Sequence, residues 1–240
     1  MQKISSQSGN ILMFILIAVI LIGLLTAAIV RSSNTSNETG DFEQAQILAS
    51  QILRYASTVE TVVSRLQTQG CSEQQYSFEN PEVEGYENSL SPDDESCHIF
   101  SAAGGGLTFE TPPQSASAFP WAIYGDHAVH GMGTTENPVT DRNADLILFL
   151  RDIPVALCNA INLQLGLDFS SPPNNGGTRI SDDSEEKFQG SFVLDGEITG
   201  STSSQHCPDD GRTPLCYVNS GCYEEENSSY FVFYHVLLSR

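Results

Sequence analysis

A chain of 240 residues is long enough for one soluble domain of ordinary size with accessory segments, or for two small ones. Its 30 acidic residues against 10 basic ones give a formal charge of −20, with Lys3 and Lys187 the only lysines. A nucleic-acid partner is thereby excluded, because holding a phosphate backbone needs clustered Lys and Arg to release counterions.

The acids fall in small groups, among them Asp93-Asp94-Glu95, Asp182-Asp183 with Glu185-Glu186, and Glu224-Glu225-Glu226. That scatter is the pattern of a solvated surface.

Ile11 to Val30 is an apolar run interrupted only by Gly23 and Thr26. At roughly 20 residues it would rise about 30 Å as a helix, one hydrocarbon core, so a transmembrane helix is predicted over 10–31. A secretory peptide has a shorter apolar region with a small-residue cut behind it. Thr26-Ala27-Ala28 keeps that alternative open. Residues 31–40, RSSNTSNETG, predict a polar joint that breaks or loosens the first helix. Asp41 followed by Gln44 resembles a capping box, and Ala45, Leu48, Ile52, Tyr55, Val59, Val62 and Leu66 then recur at three- and four-residue steps. One apolar stripe on a second helix, ending at Gly70, is the expectation.

Residues 71–118, rich in Ser, Glu, Pro and Gly, predict an irregular connection. Gly104-Gly105-Gly106 lacks the Gly-Lys-Ser/Thr ending of a phosphate loop and reads as a flexible turn. Trp121 to Met132 predicts a strand pair turning near Gly125-Asp126. Ala144 to Leu150 is a strand or a first helical turn. Pro154 suits an early helix position, with Val155, Cys158, Ile161 and Leu165 on one face up to Gly166. In Phe188 to Ile198, Asp195-Gly196 signals a hairpin. Leu215 to Val218 and Tyr230 to Leu238 complete the strands, the last apolar enough to be central and covered on both faces.

Six cysteines, Cys71, Cys97, Cys158, Cys207, Cys216 and Cys222, all follow the apolar run. An even number beyond an export segment points to disulfides in an oxidising compartment; six cysteines allow 15 pairings among which the sequence does not choose, a Cys71 to Cys97 bridge being one that would pin the irregular region. Zinc would want closer pairs than Cys216 and Cys222. Asp126-His127-x-x-His130 invites a metal reading, but in a strand the two imidazoles leave on opposite faces. Asp209, Asp210, Glu224 and Glu225 are calcium candidates by their hard oxygens, without a twelve-residue calcium loop. There is no Gly-x-Ser-x-Gly, and no catalytic constellation supports an enzyme.

A polar leader with Lys3, Gly9 immediately before the apolar run, and an amphipathic helix beyond it resemble a type IV prepilin or type II secretion pseudopilin. The resemblance implies a leader over 1–9 cut by a prepilin peptidase between Gly9 and Asn10, and methylation of Asn10. Phe14 stands where most of that family carry a glutamate, as in minor members of the family. Implied partners are other pilin or pseudopilin subunits, an inner-membrane assembly platform and membrane lipid.

The expected fold is α+β and pilin-like: a transmembrane helical stem followed by an antiparallel β-sheet head. Within it, 10–31 is the transmembrane and assembly helix, 32–70 the joint and amphipathic helix, and 71–240 an extracytoplasmic disulfide-bonded head. The expected function is a structural, non-enzymatic, minor filament subunit at the bacterial inner membrane. The alternative is a single-pass, membrane-anchored binding domain or adhesin that does not polymerise.

Overall fold

The computed structural model describes residues 8–133, 143–175, 187–200, 215–225 and 230–240; within the first helix the side chains of 8–12, 25 and 27–39 lie outside the description. That helix, α1, runs unbroken over Ser8–Thr68, 61 residues. No break therefore interrupts the helix at 31–40. Ser, Asn and Thr in a helix cost only about 0.5 kcal/mol each relative to alanine, and the segment has no proline to remove a hydrogen bond.

Among the described residues, no helix is long and apolar enough to cross a membrane. This corrects the expectation of a transmembrane span over 10–31. It also corrects the single-pass inner-membrane location and the prepilin-leader reading that depend on that span.

The chain divides into two compact units, Met1–Gln44 and Ala45–Arg240. In the second, the apolar stripe of α1 is buried as its spacing requires: Ala45, Ala49, Ile52, Tyr55, Ala56, Val59, Val62, Val63 and Leu66. α1 closes on Gly70, whose φ of +104° lies in the region that glycine tolerates. There the Cys71 N–H donates to Leu66 O and the Gly70 N–H to Gln67 O, each at 3.1 Å, the Schellman pattern that satisfies orphan carbonyls. Cys71 then bonds Cys97, with Cα atoms 5.8 Å apart, so the anticipated bridge anchors the irregular region to the end of the helix.

Six strands follow: β1 (Ala122–Val129), β2 (Asp145–Ile153), β3 (Asn174–Asn175), β4 (Gly196–Ile198), β5 (Ser220–Glu225) and β6 (Phe231–Leu238). They form one sheet in the order β3-β5-β6-β2-β1-β4. The pairs β1–β2, β2–β6 and β5–β6 are antiparallel, while β1–β4 and β3–β5 are parallel. The sheet is mixed, so the expected stem followed by an antiparallel head is corrected in both parts: the second half of α1 is built into the core of the sheet unit.

Alternation along β2 assigns its two faces. Leu146, Leu148 and Leu150 join Trp121, Ile123, Phe233 and the α1 stripe in one core, and Ile147 and Phe149 join Tyr124, Tyr223, Val232 and Tyr234 in another. β6 is central and covered on both faces, as its nearly all-apolar sequence predicts.

Two turn predictions fail. β1 is a single strand whose register shifts between Tyr124 and His127, so Gly125-Asp126 marks a bulge and not a hairpin. Gly125 is needed there for space, since a Cβ would lie 2.7 Å from the Phe188 ring and from Ser191 O. Asp195-Gly196 makes no hairpin either: the Asp195 N–H donates to Asp126 O at 2.7 Å, and β4 lies parallel to β1. Leu215 to Val218 is turn rather than strand, and the strand begins at Ser220.

Pro154 caps α2 (Val155–Gln164) as expected. Cys158 of α2 bonds Cys222 of β5. Beside that bridge, Asn162 Nδ2 donates to Cys222 O and Asn162 Oδ1 accepts from the Cys222 N–H, both at 2.9 Å. Gln164 Nε2 donates to Gln46 O at 2.8 Å, tying α2 to α1.

Candidate functional site

In the first unit the feature that calls for a function is the helix surface itself. Met13, Phe14, Ile15, Leu16 and Ile17 are five successive large apolar side chains with exposures between 42% and 67%, followed by Val19, Ile20, Leu21, Ile22 and Leu24. Successive helical positions step by about 100°, so the apolar surface goes all the way round. A helix of that kind belongs in the middle of other apolar matter. A single groove partner would cover one side and leave the rest wet.

In the second unit three polar groups meet between α1 and the sheet. His235 Nε2 lies 2.9 Å from Glu60 Oε2, and His235 Nδ1 is hydrogen-bonded to Ser220 Oγ. His235 and Ser220 are buried cross-strand partners on β6 and β5. Burial pulls the His235 imidazole below its ordinary value, and the Glu60 carboxylate opposes that pull.

A second polar corner lies at the start of β2. Asp145 accepts from the Val129 N–H at 2.9 Å and from the Arg240 N–H at 3.0 Å. Burial pushes its carboxyl up to about 6, and those two hydrogen bonds pull the other way. The Arg240 guanidinium in turn donates to Glu73 Oε2 at 2.7 Å and stacks on Phe192.

A third group is the pocket of about 190 Å³ lined by Phe119, Arg151, Asp152, Glu225, Tyr230 and Val232. Arg151 stacks on the Phe119 ring at 4.8 Å, and Ser117 Oγ donates to Arg151 O at 2.6 Å. The register of β2 against β6 shifts between Leu150 and Ile153. Asp152 sits there with φ +51°, so a bulge turns this stretch towards the pocket.

The chain matches no family model, no curated protein and no solved structure. Its function is read from these residues alone.

The residues singled out in the sequence fall as follows. Gly9 and Asn10 lie in the first turns of α1, with the Asn10 side chain outside the described residues. Asp209, Asp210 and Cys207 also lie outside the described residues. Glu224 and Glu225 are neighbours on β5, so their side chains leave on opposite faces and do not close on one ion. Among the described residues no three His, Cys, Asp or Glu side chains gather around a metal position. His127 and His130 are both buried, and His127 Nδ1 meets Asp126 Oδ1 at 2.5 Å. Cys71, Cys97, Cys158, Cys222 and Cys216 are all disulfide-bonded.

Sequence reasoning missed Glu60, Ser220, His235 and Asp145. Glu60 looks like an ordinary solvated helix residue, and His235 reads as one polar letter in an apolar strand. The one available signal was that a histidine inside YFVFYHVLL must be buried and therefore needs partners.

Proposed function

We propose that the chain is a structural, non-enzymatic subunit of a type IV pilus or type II secretion pseudopilus, in a minor position. The observation that carries the reading is the all-round apolar exposure of Met13–Leu24 on α1. Surrounding it takes several helices, as in the core of a filament, and the natural partners are the corresponding helices of other pilin or pseudopilin subunits. Phe14 supports the minor position by the resemblance, because a subunit without a carboxylate at that place cannot neutralise a neighbour's amine. The disulfide-bonded sheet unit gives the acidic surface that such a subunit presents to solvent and partners.

The assembly test uses the full chain, with filament incorporation followed by pelleting and electron microscopy. Leu16→Arg or Ile20→Arg places a charge inside the proposed helix bundle, where burying it unpaired costs several kcal/mol. Either variant should fall out of the assembled fraction while circular dichroism and disulfide content stay native. Undiminished incorporation of both variants, or wild-type chain that stays monomeric beside its filament partners, overturns the reading.

A further inference from the structure

Filament building makes no use of Glu60, Ser220 and His235. His235 projects on the α1 face of β6, between Phe233 and Leu237 of the same core. Its Nε2 faces the Glu60 carboxylate and its Nδ1 faces the Ser220 hydroxyl. A carboxylate can only accept, so the neutral ring carries its proton on Nε2, and Nδ1 accepts from the Ser220 O–H.

We propose that this Ser220–His235–Glu60 chain is a pH-sensitive latch: it holds the second half of α1 on the sheet at neutral pH and loosens it on acidification. A second proton goes to Nδ1. The Ser220 hydrogen then loses its acceptor and must swing away so that Oγ accepts from the new N–H, and the ring becomes a buried cation. Glu60, at 37% side-chain exposure, keeps a route to solvent.

The surroundings leave Glu60 as the sole balance among the described residues. β5 presents Ser220, and β2 presents Leu148 in register with the ring. The sequence of α2, VALCNAINLQ, has no ionisable side chain besides the bridged Cys158. The β6 neighbours Tyr234 and Val236 belong to the opposite face. Without the Glu60 carboxylate the imidazolium would be buried with no counter-charge.

The direction follows from burial, which favours the neutral ring in the folded state. The latch is complete above the ordinary imidazole value of about 6.5. It is lost as the pH falls below that and through the lower value of the folded protein.

Hydrogen exchange, corrected for intrinsic rates, reads this locally. Between about pH 7 and pH 5 the amides of residues 56–64 in α1 should lose protection by about tenfold, while the β2 amides of residues 146–150 hold theirs. Glu60→Gln keeps an acceptor for the Nε2–H but cannot balance the cation, so the folded ring holds its proton less well still and the loss between about pH 7 and pH 5 should deepen. His235→Phe should abolish the pH dependence. Should that variant fail to fold, Ser220→Ala removes the hydrogen donated to Nδ1, raises the proton affinity of the folded ring towards its unfolded value and should shrink the loss. A wild type with flat protection, a Glu60→Gln profile superimposed on wild type, or a pH-dependent loss retained in His235→Phe would each overturn the latch.

Discussion

Asp145 and His235 are both buried ionisable groups, and burial acts on them in opposite pH directions. The folded Asp145 carboxyl titrates near 6 against an ordinary value of 3.8, so the folded state holds its proton more tightly than the unfolded one. Its contribution favours folding at low pH and is lost as the pH rises through 6, the reverse of His235. Asp145→Asn should therefore flatten the pH dependence of urea unfolding between about pH 4 and 6, by up to about 3 kcal/mol. The slope is the readout, because the amide also disturbs the contact to Arg240. An unchanged slope would mean that the carboxylate is fully hydrated. At Gly105 the sequence suggests a flexible turn, yet a Cβ there would lie 2.2 Å from Ile99 O and 2.6 Å from a Val62 methyl, and Arg65 donates to Gly105 O. Gly105→Ala should cost about 1–3 kcal/mol in thermal or denaturant unfolding, an overpacking penalty. A run of glycines cannot reveal this, because the atoms that demand it come from the preceding turn at Ile99 and from Val62 of α1.

The elements show where periodicity suffices. The α1 stripe, the Gly70 stop, the Pro154 start of α2 and the apolar β6 all follow from spacing and caps that act within a few residues. The breaks that failed, at 31–40, Gly125-Asp126 and Asp195-Gly196, are weak local preferences that neighbouring strands or helical continuity override. Among the candidate polar groups, Ser220 and His235 are distant in sequence from Glu60 and come together only through strand register. The Cys71–Cys97 bridge encloses the shorter of the two described loops, with a separation of 26 residues. Replacing both cysteines by alanine should lower stability by about 3–4 kcal/mol in denaturant titration. A loss under about 1 kcal/mol would mean that the Schellman turn and core packing already restrain this segment.

At the scale of the molecule, the sheet order places β6 between β2 and β5. β1 and β2 can pair as soon as both exist, but β5 has no route into the sheet until β6 supplies the strand that joins it to β2. That gives the chain a timetable. Cys71 and Cys97 can close early on a local segment, whereas Cys158 and Cys222, 64 residues apart, meet in their native setting only after the central strand has docked. During oxidative refolding the Cys71–Cys97 bond should be trapped by rapid alkylation before the Cys158–Cys222 bond, which should accumulate together with native fluorescence of Trp121. The reverse order would show that α2 and β5 associate before the sheet forms. Until β6 arrives, the edges of β2 and β5 remain unpaired templates, so the interval before docking is when the chain is most exposed to wrong partners and wrong disulfides.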